Sequence, residues 1–369
     1  MRVLVCGGGT GGHIYPALAA IAELRRQGLP PEDSLWIGTR GQMEEQLVPR
    51  AGIALETISG GPIVGVAPRA RLVNGMRLAW SLGAVVRLLR GFRPDVLLMT
   101  GGYVNVPVAP TARLLGIPAA IFLPDIEPGT AIRMLSRFVR RIASTAAASK
   151  QYFAPGKVVV TGYPVRPELR AARDMSREDA LATFDLEPRR GTVFVFGGSR
   201  GARSINRALF ESLDSLLESY QVIHVSGELD WPVVEERTAQ LSPAQRHFYR
   251  AFSYVHERMG PAFRAADLVV ARAGASMLGE APAFGLPSIL VPYPYAWRYQ
   301  KVNADYLVER GAALRLDDEM LSDQFLPLVT ELMEDAGRRS AMSAAAAALD
   351  RPQAAGNLAQ LLRELAERR

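Results

Sequence analysis

The amino-acid sequence predicts an α/β protein with two doubly wound, Rossmann-like domains facing a cleft. Short apolar runs of strand length alternate with longer segments of helical periodicity, a pattern typical of a parallel sheet covered by helices. The pattern restarts at residues 191–213, where a strand, a glycine loop and a helix follow one another again. The 369 residues also exceed one ordinary domain and suit two of about 150 to 200 residues each.

The predicted strands can be placed in order along the chain. In the first domain they are Val3–Val5, Leu35–Ile37, Val96–Met99, Ala119–Phe122 and Val158–Val160. In the second domain they are the start of 191–213, then Tyr220–Val225, Asp267–Val270 and Pro287–Val291. We predict domains at 1–162 and 163–351, with the segment 352–369, which carries a helix from Ala354 to Glu367, completing the first.

The composition is that of a globular protein of the cytoplasm. Apolar residues make up 49% of the chain and charged residues 22%, and the single cysteine excludes a disulfide framework. No apolar run reaches the roughly 18 residues that a membrane-spanning helix requires, and the amino-terminal apolar run is too short for a signal peptide.

The first glycine loop, Gly7–Gly12, leads directly into His13 and a predicted helix. Its G-x-G-x-x-G spacing is found in dinucleotide-binding folds, and glycine loops before helices also bind phosphate. Neither pattern is complete here. A triphosphate loop ends in Gly-Lys-Ser/Thr, and a dinucleotide fold has an acid about 20 residues further on, whereas the second strand ends in Gly38–Arg40.

Several motifs together carry a family resemblance. They are Gly7–His13 with Pro16–Ala19, then Gly101–Pro107, Thr161–Arg166, Gly197–Ala202, and Arg272–Pro294 followed by Gln300 and Asn303. In this order and spacing the chain resembles the MurG-type glycosyltransferases of family 28, over nearly its whole length. The resemblance implies a metal-independent, inverting GT-B transferase. Such an enzyme moves N-acetylglucosamine from UDP-N-acetylglucosamine (UDP-GlcNAc) to the muramoyl sugar of undecaprenyl-linked lipid I, giving lipid II in peptidoglycan synthesis.

The carboxyl-terminal half is implied to bind the UDP-sugar. Backbone N–H groups, helix dipoles and arginine can stabilise the departing diphosphate. The sequence has no Asp-x-Asp motif, and we expect neither metal nor other cofactor. The implied donor residues are Ser199 and Arg166 at the diphosphate, Glu280 at the ribose, Ser276 and Met277 beside them, His256 at the uracil edge and Gln300 at the sugar.

The amino-terminal half is implied to bind the acceptor. His13 is the implied general base, and its ordinary pKa near 6.5 suits that role. The acceptor and its diphosphate are expected at Thr10, Gly11, Gly12, Tyr103 and Asn105. Where the family has His-Glu-Gln-Asn, this chain has Phe122–Asp125. Either Asp125 shares the acceptor or base role, or the acceptor differs from lipid I.

A basic and apolar segment predicts contact with the anionic inner leaflet of the cell membrane. Between Thr57 and Pro94 there are six arginines and no acidic residue, with apolar and aromatic side chains between them. The proposed membrane patch is Arg77, Trp80, Arg87 and Arg90. The alternative is a core helix with an arginine-rich outer face. Nucleic acid is not expected, because no binding module accompanies the patch.

Three alternative functions remain open from the residues. Tyr299 replaces a family glutamine and cannot reproduce the paired donor and acceptor of an amide, so a related transferase could use another UDP-sugar or lipid. A UDP-sugar epimerase would share the fold without needing a membrane patch. A nicotinamide dehydrogenase would need the missing ribose acid. The resemblance to the MurG-type transferases also implies peripheral attachment to the cytoplasmic face of the cell membrane and contact with cell-wall synthesis proteins.

Overall fold

The structure is a computed structural model that describes residues 1–9, 11–58, 81–198, 201–295 and 299–368. The chain divides into two compact units, one of Met1–Arg166 with Arg351–Arg369 and one of Pro167–Asp350. The sequence placed the first division after residue 162, and the structure places it after residue 166.

The first unit is built on a seven-stranded, fully parallel sheet. Its strands are β1 Val3–Gly7, β2 Ser34–Thr39, β3 Ala54–Ile58, β4 Val96–Gly101, β5 Ala119–Leu123, β6 Arg141–Ser144 and β7 Val158–Val160. They lie in the order β3-β2-β1-β4-β5-β6-β7. The helices are α1 Gly11–Arg26, α2 Glu44–Arg50, α3 with its described part at 81–92, α4 Asn105–Leu114, α5 Thr130–Leu135 and α16 Ala354–Glu367.

Helices cover both faces of this sheet, which explains why its central strands are apolar without alternation. Leu4 and Cys6 of β1 belong to a core that includes Val85 of α3 and Val108 of α4. On β1 the intervening residues are buried as well. Helices α1 and α16 pack against each other and against β4. The carboxyl-terminal helix therefore completes the first unit.

The second unit repeats the plan with a six-stranded parallel sheet in the order β10-β9-β8-β11-β12-β13. Its strands are β8 Gly191–Phe196, β9 Tyr220–Val225, β10 Tyr249–Phe252, β11 Leu268–Arg272, β12 Ser288–Val291 and β13 Ala313–Arg315. Its helices are α6 Pro167–Ala171, α7 Arg177–Ala182, α8 Arg203–Ser219, α9 Trp231–Gln240, α10 Pro243–Phe248, α11 Met259–Ala265, α12 Glu280–Phe284, α13 Tyr299–Val308, α14 Leu321–Glu334 and α15 Ala336–Leu349.

The strand order fixes where each unit can bind a ligand. In both sheets the connections reverse direction beside the first strand, between β1 and β4 and between β8 and β11. Doubly wound sheets bind ligands in the crevice at the carboxyl ends of the strands at such a point. Each glycine loop follows the first strand of its unit, so each lies at this position. The predicted α/β class with two parallel sheets is confirmed.

The described part of α3 shows which side chains of the basic segment are available to solvent. Val85 and Leu89 are buried in the core, whereas Arg87 and Arg90 are exposed. Arg77 and Trp80 lie outside the described residues. Within the described ranges, no helix is long and apolar enough to cross a bilayer.

Candidate active site

The backbone of the first glycine loop is hydrogen-bonded by polar side chains of neighbouring elements. The indole N–H of Trp36 donates to the carbonyl of Gly7 at 2.8 Å. The backbone N–H of Gly9 donates to one carboxylate oxygen of Glu44, and the N–H of Thr39 donates to the other, both at 2.9 Å. Glu44 is fully buried. The loop therefore rests on an internal carboxylate that sequence reasoning did not identify.

His13 lies against the loop that follows β4. A Cβ atom built on Gly101 would lie 2.9 Å from Nε2 of His13, and the φ of Gly101 is +113°. Any other residue at Gly101 would be strained and would displace the imidazole. The structure thus brings together the ends of β1 and β4 at the imidazole.

The surroundings of His13 favour its neutral form. Burial lowers the pKa of His13 below its ordinary 6.5. The negative charges of Asp125 and Glu44, and a hydrogen bond with the backbone of Gly8, oppose that shift. At neutral pH the imidazole is consequently uncharged and able to accept a proton.

Asp125 lies near His13 because it directly follows the end of β5 and Pro124. Its side chain is half-buried, and its charge acts on the imidazole. Phe122 and Leu123, the two apolar residues that stand where the family has His and Glu, are fully buried in β5. Phe122 packs edge-on against Tyr163 with 6.1 Å between ring centroids. These two replacements are therefore part of the core.

The remaining predicted acceptor residues occupy different environments. Gly11 and Gly12 are the first residues of α1, and Tyr103 is partly exposed. Asn105 is fully buried, and its Nδ2 donates to the carbonyls of Gly101 and Gly102 at 2.5 and 3.2 Å. The Asn105 side chain therefore does not face solvent. It holds the Gly101–Gly102 backbone that contacts His13. Thr10 lies outside the described residues.

Arg166 belongs to the first unit, although the sequence placed it in the donor domain. Its guanidinium carbon lies 4.2 Å from the ring centroid of Tyr15, in cation–π geometry. Tyr15 is in α1, two residues after His13. The arginine is therefore anchored beside the acceptor loop.

The second glycine loop precedes the longest helix of the second unit. The N–H of Gly201 donates to the carbonyl of Gly198 at 3.0 Å, which closes a turn ahead of α8. On that helix, Asn206 donates to the carbonyl of Ser226 at 3.0 Å and to Asp230 at 2.9 Å. The helix start is thereby fixed next to the end of β9. Ser199 lies outside the described residues.

Glu280 is buried, with 5% of its surface exposed, at the start of α12. The segment from Gly274 to Glu280 is not one continuous helix. Residues Ala275–Leu278 form a 3₁₀ turn, and Gly279 separates that turn from α12. Ser276 is half-buried, whereas Met277 is 1% exposed and packs inside the unit.

Two amide side chains organise the loop around the predicted sugar position. The Oε1 atom of Gln300 accepts from the N–H of Tyr293 at 2.9 Å. Asn303, one turn further along α13, donates to the carbonyl of Ala273 at 3.2 Å. His256 begins a 3₁₀ turn, and its side chain lies outside the described part of the structure.

An arginine that the sequence analysis left unassigned stands at the end of β11. Arg272 is largely buried, and its Nη2 donates to Oγ of Ser204 at 2.7 Å while Nη1 contacts Asp318. Ser204 is the second residue of α8 and also donates to Asp318 at 2.8 Å. The network ties the start of α8 to β11 across the point where the strand order reverses. An arginine closing an otherwise apolar strand was the available signal.

A separate cavity of about 320 Å³ lies in the second unit. Its lining includes Ala266, Asp267, Leu286 and Pro287, which precede β11 and β12. It is therefore at the amino ends of these strands, away from the residues described above. In the described ranges, no His, Cys, Asp and Glu side chains form a group that could hold a metal ion.

Two parallel sheets, each with a glycine loop where its strand order reverses, define a GT-B α/β protein. Residues 3–144 match the glycosyltransferase family 28 N-terminal domain, and residues 192–358 match the glycosyltransferase family 28 C-terminal domain. The chain belongs to glycosyltransferase family 28, and the resemblance predicted from the motifs is confirmed.

Relatives from bacteria match the whole chain. A protein of Halalkalibacterium halodurans named "UDP-N-acetylglucosamine--N-acetylmuramyl-(pentapeptide) pyrophosphoryl-undecaprenol N-acetylglucosamine transferase" is 39% identical over 373 residues, which cover 100% of both chains. A protein of the same name from Roseiflexus sp. is 38% identical and covers 100% of this chain and 96% of its own.

Solved structures show the same fold. The crystal structure of Acinetobacter baumannii MurG matches with a TM-score of 0.73 and 25% identity, and the match covers 98% of this chain and 99% of that one. A UDP-GlcNAc 2-epimerase from Neisseria meningitidis, bound to UDP-GlcNAc, matches with a TM-score of 0.69 and 14% identity, and the match covers 99% of this chain and 100% of that one. The epimerase likeness concerns the fold alone.

Proposed function

We propose that this chain transfers N-acetylglucosamine from UDP-GlcNAc to the muramoyl sugar of lipid I, the pyrophosphoryl-undecaprenol-linked pentapeptide acceptor, giving lipid II. The observation that carries the proposal is the match along the entire chain, at 38–39% identity, to transferases named for this reaction. Both family 28 domains are present. The epimerase alternative has only a shared fold in its favour.

His13 serves as the general base in this proposal. Inversion requires a group that takes the proton of the acceptor hydroxyl as its oxygen forms a bond to the sugar C1 and UDP leaves with the electron pair. The neutral imidazole beside Gly101 supports that role. The Asp125 carboxylate stabilises the imidazolium that the transfer creates, since its charge raises the pKa of His13. Tyr103 and the start of α1 supply the surface for the acceptor.

The second unit holds the donor in this proposal. The start of α8 presents N–H groups and the positive end of a 17-residue helix to the diphosphate. Glu280 and Ser276 lie on the segment after β11, where the ribose is expected. Because Oε1 of Gln300 is already engaged by Tyr293, Gln300 would contact a sugar hydroxyl through its Nε2 group. Arg272 fixes the start of α8 against the end of β11 and thereby supports the binding of the diphosphate and the ribose.

The first unit also offers two basic surfaces for an anionic membrane, which supports peripheral attachment at the cytoplasmic face. The first is the outer side of α3, where Arg87 and Arg90 are exposed; Leu82 of the same helix is 41% exposed. The second is a cluster of Arg113, Arg141 and Lys157 near Leu114, which is 86% exposed. Burial and the two arginines lower the pKa of Lys157, so an anionic headgroup would relieve their repulsion. Contact with cell-wall synthesis proteins stays a prediction.

Release of UDP tests the proposed reaction. Purified protein is incubated with UDP-GlcNAc, with and without lipid I in detergent, and free UDP is measured. We expect UDP release to depend on lipid I and to fall about 10²- to 10⁴-fold in the His13→Ala variant, which should still bind UDP. Equal release without lipid I would refute the acceptor assignment, and UDP-N-acetylmannosamine as product would favour an epimerase.

A further inference from the structure

We propose that Glu44 is a positioning residue of the acceptor site, which fixes the first glycine loop beside His13. The inference rests on the proposed function for its kinetic consequence. Its structural part concerns the described residues alone and can be tested without activity.

Glu44 joins two loops at the carboxyl edge of the sheet. It is the first residue of α2, and its two carboxylate oxygens accept from Gly9, in the loop after β1, and from Thr39, at the end of β2. Both bonds are 2.9 Å, and the side chain has no exposed surface. A buried, charge-assisted pair of bonds holds its partners more firmly than neutral bonds do. The loop that leads to His13 is thereby tied to the neighbouring strand.

Glycines on both sides make room for this carboxylate. A Cβ built on Gly8 would lie 1.9 Å from Oε1 of Glu44, and one built on Gly38 would lie 2.6 Å from its Cγ. Both distances are shorter than a Cβ atom tolerates to a non-bonded heavy atom. Gly8 and Gly38 are therefore needed because a side chain at either position would clash with the buried Glu44.

The occupied amide changes how the first loop can bind a ligand. The N–H of Gly9 points to Glu44 and is not available to a phosphate. In a dinucleotide-binding fold, an acid at the end of the second strand binds a ribose. Here the acid that follows the second strand instead binds the protein's own glycine loop. This arrangement presents a shaped backbone surface and the imidazole to the acceptor.

Glu44 also contributes charge to the site. The groups that act on His13 are Asp125, the backbone of Gly8 and Glu44, and both carboxylates raise the pKa of the imidazole. Removing the charge of Glu44 therefore lowers the pKa of His13. A base that must be neutral would then remain active to lower pH.

Three variants separate these effects. Glu44→Gln removes the charge and replaces one acceptor oxygen by an NH₂ group that faces an N–H donor. Glu44→Asp retains the charge but shortens the reach by one methylene. Glu45→Gln, at the exposed neighbouring position, is the matched control for a change of net charge.

We expect kcat to fall about 10²-fold in Glu44→Gln and Glu44→Asp, the effect of a displaced reacting group. KM for UDP-GlcNAc should not change, because the donor site lies in the second unit. The acidic limb of the pH profile should move to lower pH in the glutamine variant only. Glu45→Gln should match wild type throughout. Unchanged kcat in both Glu44 variants, or an equal loss in kcat with no change of pH profile, would overturn the proposal.

Nuclear magnetic resonance makes the test independent of catalysis. With labelled histidine and glycine, the His13 imidazole should titrate at lower pH in Glu44→Gln, and the Gly9 amide resonance should shift strongly. If the enzyme ignored lipid I but these spectra changed as expected, the proposed function would fail and the positioning role would stand. If Glu44→Gln did not fold, the Gly9 resonance and kcat of Glu44→Asp would decide the question. Wild-type values for that variant would overturn the role.

Discussion

Replacing Glu280 tests the donor site directly. Because only 5% of the side chain is exposed, a bond from its carboxylate to a ribose hydroxyl would form away from bulk water. A hydrogen bond to a charged group contributes about 1.5 to 3 kcal/mol. At about 1.4 kcal/mol per tenfold change, its loss raises the dissociation constant of UDP about 10- to 150-fold. Glu280→Gln keeps one acceptor oxygen and should fall at the lower end, and Glu280→Ala at the upper end.

Isothermal titration calorimetry of UDP against the purified proteins measures this change. Glu236→Gln is the matched control, since Glu236 is an exposed residue of α9 in the same unit. Thermal melting establishes that each variant is folded. UDP affinity equal to wild type in both folded Glu280 variants would refute the placement of the ribose at this residue.

Three further predictions follow from the first unit and from the core of the second. His13→Ala and Asp125→Ala should each lower kcat by about 10²- to 10⁴-fold with UDP affinity intact; full activity in Asp125→Asn would show that its charge is not required. Changing Arg87 and Arg90 together to Gln should weaken binding to anionic vesicles at low salt, and binding of wild type should fall as salt rises; equal vesicle binding by this variant and by one with two exposed arginines of the second unit replaced would contradict the membrane assignment. Burial lowers the pKa of His224 to about 3, below its unfolded value near 6.5, so the unfolded state takes up the proton first and the free energy of unfolding decreases as the pH falls below about 6.5. Between pH 6.5 and 5, the free energy of unfolding in urea should fall by about 2 kcal/mol more for wild type than for His224→Gln, and an equal pH dependence of the two proteins would refute the lowered pKa of His224.

Most of the strands that could be predicted lie inside the sheets, where both faces are buried. Runs such as Val96–Met99 and Ala119–Phe122 lie inside the sheets and carry continuous apolar sequence. The sequence did not predict the edge strands β3, β10 and β13 or the short β6. Strand β3 alternates between exposed and half-buried residues and lacks an apolar run, whereas the edge strand β7 was predicted because Val158–Val160 is apolar.

The candidate site was predictable where a residue type is tied to local backbone geometry. The glycine loops and His13 follow a strand and precede a helix, and this local order can be read in the sequence. Glu44 and Arg272 reach the site only through tertiary contacts with Gly9 and Ser204. No local pattern marks Glu44, whereas Arg272 is recognisable only as the arginine that closes an otherwise apolar strand. The burial of Asn105 depends in the same way on how α4 packs against the sheet.

The most direct measurement of the central claim is transfer of radiolabelled N-acetylglucosamine from UDP-GlcNAc to lipid I by the purified chain. The labelled lipid is extracted into butanol and identified by mass spectrometry. We predict a lipid product heavier than lipid I by one N-acetylhexosamine residue, formed by wild type and formed about 10²- to 10⁴-fold more slowly by His13→Ala. A wild-type protein that binds UDP-GlcNAc but leaves lipid I unlabelled, while labelling another lipid or isomerising the sugar nucleotide, would contradict the account.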